Sequence, residues 1–199
     1  MAGISVAVVD TGTANQASIL AALRRVGAAP VVTRDADTAL RADRVVIPGV
    51  GAFGAAMATL RDSGVDAALV ERISSGRPLL AICLGLQLLA AASAESPGVS
   101  GLGVLRSAVQ RLPAGVRVPQ LGWNQVISSG GGLVRDGYAY FANSYVVTDV
   151  EPSWQAAFAD HGVRFVASLQ RGSQLACQFH PELSGRWGHQ LLADWCAAC

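Results

Sequence analysis

At 199 residues and a formal net charge of +1, the chain has room for one large core and lacks the clustered positive charge that nucleic-acid binding demands. No apolar run reaches the roughly 18 residues of a membrane span, and MAGISVAVVD meets Asp10 too early, without a basic lead-in, to read as a signal peptide. All 15 basic residues are arginine, which excludes lysine chemistry, and the expected compartment is the cytoplasm, where thiols stay reduced.

Ile4 to Val9 is an apolar strand that ends in the turn Asp10-Thr11-Gly12-Thr13-Ala14-Asn15. Ile19, Leu20, Leu23 and Val26 then recur as one helical face closed by Gly27, so the chain opens with a β–turn–α unit. A strand over Pro30 to Thr33, a helix from about Asp35 to Leu40 and a strand over Arg44 to Ile47 follow. Alternating strands and helices imply a parallel sheet with helices on both faces, where ligands bind outside the carboxyl ends of the strands. The loop after the third strand, Pro48-Gly49-Val50-Gly51-Ala52-Phe53-Gly54, has enough glycine to turn backbone N–H groups inward. It can serve as an oxyanion hole or as a plain turn. A phosphate-binding loop is the weaker reading, because the G-K-[ST] ending is missing.

Pro78 to Ile82 reads as a strand buried on both faces, and after Cys83 the period changes, with Leu84, Leu88 and Leu89 at helical spacing. Cys83 therefore sits where strand becomes helix, flanked two residues away by the small Ala81 and Gly85, as in a nucleophile elbow with thiol in place of hydroxyl. Unpaired N–H groups at a helix start favour thiolate, but a buried, inert cysteine fits the same stretch. In acyl transfer, Val50 or Gly51 N–H together with Leu84 N–H would receive the tetrahedral oxygen.

Beyond Ala92 the texture shifts to short apolar runs broken by turns. Val104–Leu105, Val116–Val118, Gln125–Ile127, Tyr138–Phe141, Tyr145–Thr148, Trp154–Phe158, Phe165–Gln170 and Leu175–Phe179 read as hairpins and antiparallel strands added to the first half. Helix returns from about Ser184, with Leu191, Leu192 and Trp195 on one face. There is no repeat and no linker, so residues 1–199 read as one domain.

His180-Pro181-Glu182 follows the last of these strands. Pro181 biases His180 away from helix, and in extended chain His180 and Glu182 share a face, so Glu182 can hold the imidazole while its other nitrogen meets a thiol. A structural His–Glu pair is the alternative. His161 lies in a hairpin turn and His189 in the polar part of the last helix, which leaves His180 as the one histidine at a strand's carboxyl end. Cys83, Cys177, Cys196 and Cys199 show no metal-ligand spacing with histidines, although Cys196 and Cys199 form a C-x-x-C; no metal and no cofactor are expected.

With Cys83-Leu84-Gly85-Leu86-Gln87 and Gln178-Phe179-His180-Pro181-Glu182 both in view, the chain resembles the class I, triad-type glutamine amidotransferases. The Pro48-Gly49-Val50-Gly51 loop, Gly122-Trp123-Asn124 and Asn143-Ser144-Tyr145 narrow the resemblance to the glutaminase subunits of imidazole glycerol phosphate synthases. It implies a flavodoxin-like α/β fold, mostly parallel, flanked by helices, with added antiparallel strands in the second half. It implies Cys83 as nucleophile, His180 as base and acid, Glu182 as orienter, Val50 and Gly51 in a movable oxyanion strand, and Gln87, Asn143, Ser144 and Tyr145 as contacts of L-glutamine. The implied partner is a (β/α)₈ cyclase subunit in a 1:1 heterodimer that uses the ammonia. Trp123, on a turn after Gly122, is a guess for a contact with that partner, an ordinary core aromatic being the alternative. Ala81 replaces the elbow glycine, Gln120 and Asn143 stand where relatives often carry histidine, and Leu183 where lysine is common.

Overall fold

The computed structural model describes residues 4–12 and 16–198; Thr13, Ala14 and Asn15 of the first turn, and Cys199, lie outside the described residues. The first half alternates strand and helix: β1 (Ile4–Val9), α1 (Ala17–Arg25), β2 (Ala28–Thr33), α2 (Ala36–Arg41), β3 (Arg44–Ile47), α3 (Phe53–Asp62), α4 (Val65–Ser74), β4 (Leu79–Ile82) and α5 (Leu84–Leu88). The second half is strand-rich: β5 (Ala92–Ser93), β6 (Ala108–Arg111), β7 (Gln120–Ser128), β8 (Gly137–Asn143), β9 (Tyr145–Val146), β10 (Gln155–Asp160), β11 (Arg164–Arg171) and β12 (Gln174–Cys177). A single 3₁₀ turn over Pro181–Leu183 then leads into α6 (Gly185–Ala197).

Nine strands form one sheet in the order β2-β1-β3-β4-β12-β11-β10-β7-β8. From β2 to β12 the pairing is parallel, and from β12 onward it is antiparallel, so the second half of the chain extends the sheet that the first half begins. The parallel strands read as continuous apolar runs because both faces are covered. On β1, Ala7 and Val9 pack into one core with α3 and α4, while Val6 and Val8 pack into the other with α1 and α6. β4 divides likewise, Leu79 and Ala81 to one side, Leu80 and Ile82 to the other.

Several elements depart from the sequence expectation. Helices α3 and α4 occupy residues to which the apolar pattern assigned no element. Val104–Leu105 and Val116–Val118 are not strands; Gly115 is left-handed (φ 93°) and Pro119 closes the second run, so neither end can enter a ladder. The helix after Cys83 ends at Leu88, and β12 ends at Cys177, three residues short of His180.

Candidate active site

β4 and β12 are parallel neighbours in register, Ile82 opposite Cys177, so the chain leaves both at the same sheet edge. From β4 it makes its turn on Cys83, the one described non-glycine residue with positive φ (φ 48°, ψ −102°). Left-handed backbone at a residue with a Cβ costs about 1–3 kcal/mol and persists only where the surroundings impose it. Two glycines help to impose it. A Cβ on Gly49 would collide with the Ile82 carbonyl and lie 2.7 Å from the Cys83 Cβ, and a Cβ on Gly85 would run into the Ile47 carbonyl. Gly85 thus admits the elbow helix against β3, and Ala81 is buried in the core within β4.

From β12 the chain runs to His180, whose own backbone is extended (φ −100°, ψ 98°). Glu182 reaches the imidazole through the 3₁₀ turn rather than along extended chain, and its Oε1 lies 2.8 Å from His180 Nδ1. Glu182 Oε2 is buried and finds no protein partner among the described residues. Polar bonds fix the turn: His180 N–H donates to the Tyr140 carbonyl (2.9 Å), Ser184 Oγ donates to the His180 carbonyl (2.6 Å), and the same Oγ accepts from Tyr140 N–H (2.9 Å). Burial opposes charge on His180, but hydrogen bonds to Cys83 and Glu182, with the charges of both, outweigh it and push His180 up to about 10. The imidazole therefore holds a proton ready for a leaving group while sitting beside the sulfur.

Cys83, His180, Gly49, Val50, Gly51, Leu84, Gln87, Asn143, Ser144 and Tyr145 line one cleft of about 390 Å³. The structure thus gathers the expected triad, oxyanion and glutamine-contact positions, and adds Glu95 as the cleft's one carboxylate. Glu95 Oε2 accepts from Phe53 N–H (2.7 Å) and Ser96 Oγ from Gly54 N–H (3.0 Å), so the 93–96 loop caps α3 where the oxyanion segment enters it. Gln87 is buried, and its Nε2 donates both to the Tyr145 carbonyl (3.0 Å) and to Gln178 Oε1 (3.1 Å), which leaves only its carbonyl oxygen for a ligand. Gln178 was given no role from sequence; as a residue two before His180 it could have been placed on the same strand face. Gln120 and Asn143 are opposite one another on β7 and β8, buried, and their side-chain oxygens have no protein partner among the described residues.

Trp123 lies within β7, not on a turn, and it is 58% exposed, so the core-aromatic alternative fails. Its indole stands edge-on to Tyr140 (6.2 Å between centroids), on an apolar face shared with the exposed Leu121 and Tyr138. Leu183 is exposed at the cleft's rim. His161 sits in the β10–β11 turn against the Arg117 carbonyl, and His189 on the outer side of α6; both stand away from the cleft. Among the described residues no group of three or more His, Cys, Asp or Glu could hold a metal ion, and no helix is long and apolar enough to cross a membrane.

An elbow thiol and a carboxylate-held imidazole in one cleft are what acyl transfer requires, and the sequence matches the class-I glutamine amidotransferase family over residues 7–199. The chain belongs to that family. It is 42% identical to the imidazole glycerol phosphate synthase subunit HisH of Symbiobacterium thermophilum, over 96% of this chain and 92% of that one. The HisH of Methanothermobacter thermautotrophicus is 42% identical, with 96% of each chain covered, and that of Mycobacterium tuberculosis 43% identical, with 98% of each. Within the amidotransferases the chain therefore belongs with the HisH subunits. The fold is that of a solved glutamine amidotransferase (TM-score 0.78, 22% identity, 98% of this chain and 100% of that one) and of a chain in PurLQS from Thermotoga maritima (TM-score 0.76, 15% identity, 98% of each).

Proposed function

We propose that this amidotransferase hydrolyses L-glutamine to glutamate and ammonia through Cys83, His180 and Glu182. The observation that carries the reading is the meeting, in one cleft, of a thiol on a left-handed turn with an imidazole hydrogen-bonded at Nδ1 to a buried carboxylate. The Cys83 thiolate attacks the side-chain carbonyl carbon of glutamine, and the oxygen becomes an oxyanion facing the Val50, Gly51 and Leu84 backbone. As the carbon–nitrogen bond breaks, imidazolium His180 gives its proton to the departing nitrogen, releasing ammonia and leaving a γ-glutamyl thioester. Water then attacks the thioester with His180 taking a proton, the carbon–sulfur bond breaks, and glutamate and thiolate are restored. Glu182 keeps the ring oriented and offsets its charge throughout.

Ammonia is protonated and lost in open water, so the product has to pass directly to an acceptor. The HisH relatives are named as subunits of imidazole glycerol phosphate synthase, and this supports a 1:1 heterodimer with a (β/α)₈ cyclase that makes imidazole glycerol phosphate and aminoimidazole carboxamide ribotide in histidine biosynthesis. Trp123, with Leu121 and Tyr138, offers that partner an apolar face; Gln87, through its oxygen, and the Asn143-Ser144-Tyr145 segment hold glutamine. Residues 1–199 act as one domain in the cytoplasm, a reading supported by a nine-stranded sheet drawn from both halves and by thiol chemistry that needs a reducing compartment.

The test is glutamate release from glutamine by the chain alone, then with the cyclase and its ribonucleotide substrate. Strong activation in the complete mixture supports both reaction and partner. Equal activity with and without the cyclase keeps the triad and rejects that partner; no activity in either rejects the catalytic reading.

A further inference from the structure

The nucleophile's sulfur has a neighbour that neither triad nor oxyanion chemistry uses. Gln178 is fully buried, and its side-chain Nε2 lies 3.4 Å from Cys83 Sγ, within hydrogen-bond distance for sulfur. The orientation of this amide is dictated by its surroundings. Gln87 must present its NH₂ to the Tyr145 carbonyl, which can only accept; the same NH₂ meets the far end of Gln178, so that end must be the oxygen. The nitrogen of Gln178 is left facing the sulfur and cannot exchange places with the oxygen without setting two N–H groups against each other. A fixed donor beside a buried thiol favours a negative sulfur over a neutral one, since a bond to a charged acceptor is about twice as strong as one to a neutral acceptor.

We propose that Gln178 is a dedicated donor to the Cys83 thiolate, locked in that role by Gln87, and that the pair sets the thiol's reactivity from the side of the sulfur opposite in kind to His180. This deepens the proposed glutaminase and rests on it for its use, although the bond itself is a property of the chain alone. His180 supplies a mobile proton and a charge that vanishes when the proton leaves; Gln178 supplies a dipole that does not change during turnover. When His180 hands its proton to the departing nitrogen, the sulfur is covalently bound to the substrate carbon and needs no counter-charge. When the thioester breaks, the Gln178 N–H is already in place for the departing thiolate. Gln87, which the family resemblance assigns to the substrate, thereby has a second task, which explains why its two N–H groups are spent inside the protein.

Around the sulfur stand the Ala142 carbonyl, an acceptor 4.0 Å from Sγ, and the acidic, basic and thiol groups: His180 and, behind it, Glu182 from the turn after β12; Glu95 at the cleft wall; and Cys177 on the adjacent strand, whose own thiol burial holds far above the usual range and so neutral. Removing the Gln178 donor leaves all of these in place.

The test is the pH dependence of iodoacetamide alkylation at Cys83 in the isolated chain, with the modified residue identified by peptide mass, since Cys177 and Cys196 are also buried. Gln178→Met keeps the side chain's length and removes the donor. It should raise the apparent pKa of alkylation by about one to two units, the size of one hydrogen bond to a charged group, and lower the rate on the acid side of the wild-type profile by about tenfold or more. Gln87→Met, which frees the Gln178 amide to turn over, should give a smaller shift in the same direction. Gln178→Glu keeps the acceptor for Gln87 and turns a carboxylate toward the sulfur, so its shift should be the largest. An unchanged alkylation profile in a folded Gln178→Met chain overturns the proposal; should that variant not fold, an unchanged profile in Gln178→Glu or Gln87→Met does so equally. Failure of the glutaminase reading is seen elsewhere, in the absence of glutamate release by the wild-type chain with its cyclase, and leaves the alkylation result standing.

Discussion

The chain leaves β4 and β12 side by side, yet the two exits are built by opposite means. The β4 exit is steric: Cys83 is forced into left-handed backbone by close approach of Gly49 and Gly85, in a setting of apolar side chains. The β12 exit is polar: His180 is placed by bonds from its N–H and carbonyl to Tyr140 and Ser184, and by Glu182 on its ring. Strain suits a nucleophile that must project at one angle. A hydrogen-bonded turn suits a base that must change charge while keeping its position, because its partners rebalance as the proton comes and goes.

The contrast can be broken from either side. Cys83→Ala should abolish glutamine-dependent synthesis with the cyclase, by at least about a thousandfold, while ammonia-dependent synthesis by the partner persists. A variant retaining glutamine-dependent turnover would remove Cys83 from the chemistry. At the polar exit, Glu182→Gln should lower glutamate release by about a hundredfold or more, since the amide has no charge to offset the imidazolium and can turn its NH₂ to Nδ1, which fixes the wrong tautomer.

At the polar exit, stability should depend on pH through His180. His180 is raised from 6.5 in the free residue to about 10 in the fold, with burial opposing the shift and Cys83 and Glu182 driving it. The stability it contributes is therefore complete below pH 6.5 and is lost as pH rises toward 10. The difference in unfolding free energy between wild type and His180→Gln, followed by urea titration across that window, should shrink as pH rises. A difference that is flat or grows would mean His180 is not held as imidazolium.

What the sequence shows and what it conceals follow the same division. The steric exit is written locally: an apolar run, a cysteine and a change of period lie within a dozen residues, and the register of β4 with β12 needs only parallel strands. The polar exit is half written. His-Pro-Glu is visible, but the 3₁₀ turn through which Glu182 reaches the ring is set by Ser184, which bonds to Tyr140 across 44 residues of chain. Gln178 binds sulfur 95 positions away. Helix α3 lacks a capping side chain at Ala52 because Glu95 and Ser96, 42 residues on, cap it instead, so its start carries no local signal. Trp123 was expected on a turn because of Gly122, which instead takes φ 133° inside a strand.

Ser184→Ala measures how much the polar exit is worth. It removes one bond donated to the His180 carbonyl and leaves the half-buried Tyr140 N–H without its acceptor, a loss of about 1–3 kcal/mol that denaturant titration would resolve. Because Tyr140 also meets the edge-on Trp123 ring, the variant should weaken activation by the cyclase more than it weakens the basal reaction. Equal losses in both would confine Ser184 to stability.

The smallest effect tests the steric exit most directly, because its sign is opposite to that of an ordinary site. Cys83→Ala and Cys83→Gly both remove the sulfur and its bonds to Gln178 and His180, so the two variants differ only in the Cβ. At a buried position with negative φ, alanine is the more stable by about 0.5–1 kcal/mol, because glycine has more unfolded conformations to lose. At φ 48° and ψ −102° the Cβ itself carries the strain, and glycine removes it. The glycine variant should therefore unfold at the higher temperature, by about 2–4 °C for each kcal/mol in a chain of this length. Alanine melting above glycine would mean that the turn at Cys83 is relaxed, and that projection of the thiol owes more to the cleft's polar contacts than to backbone strain.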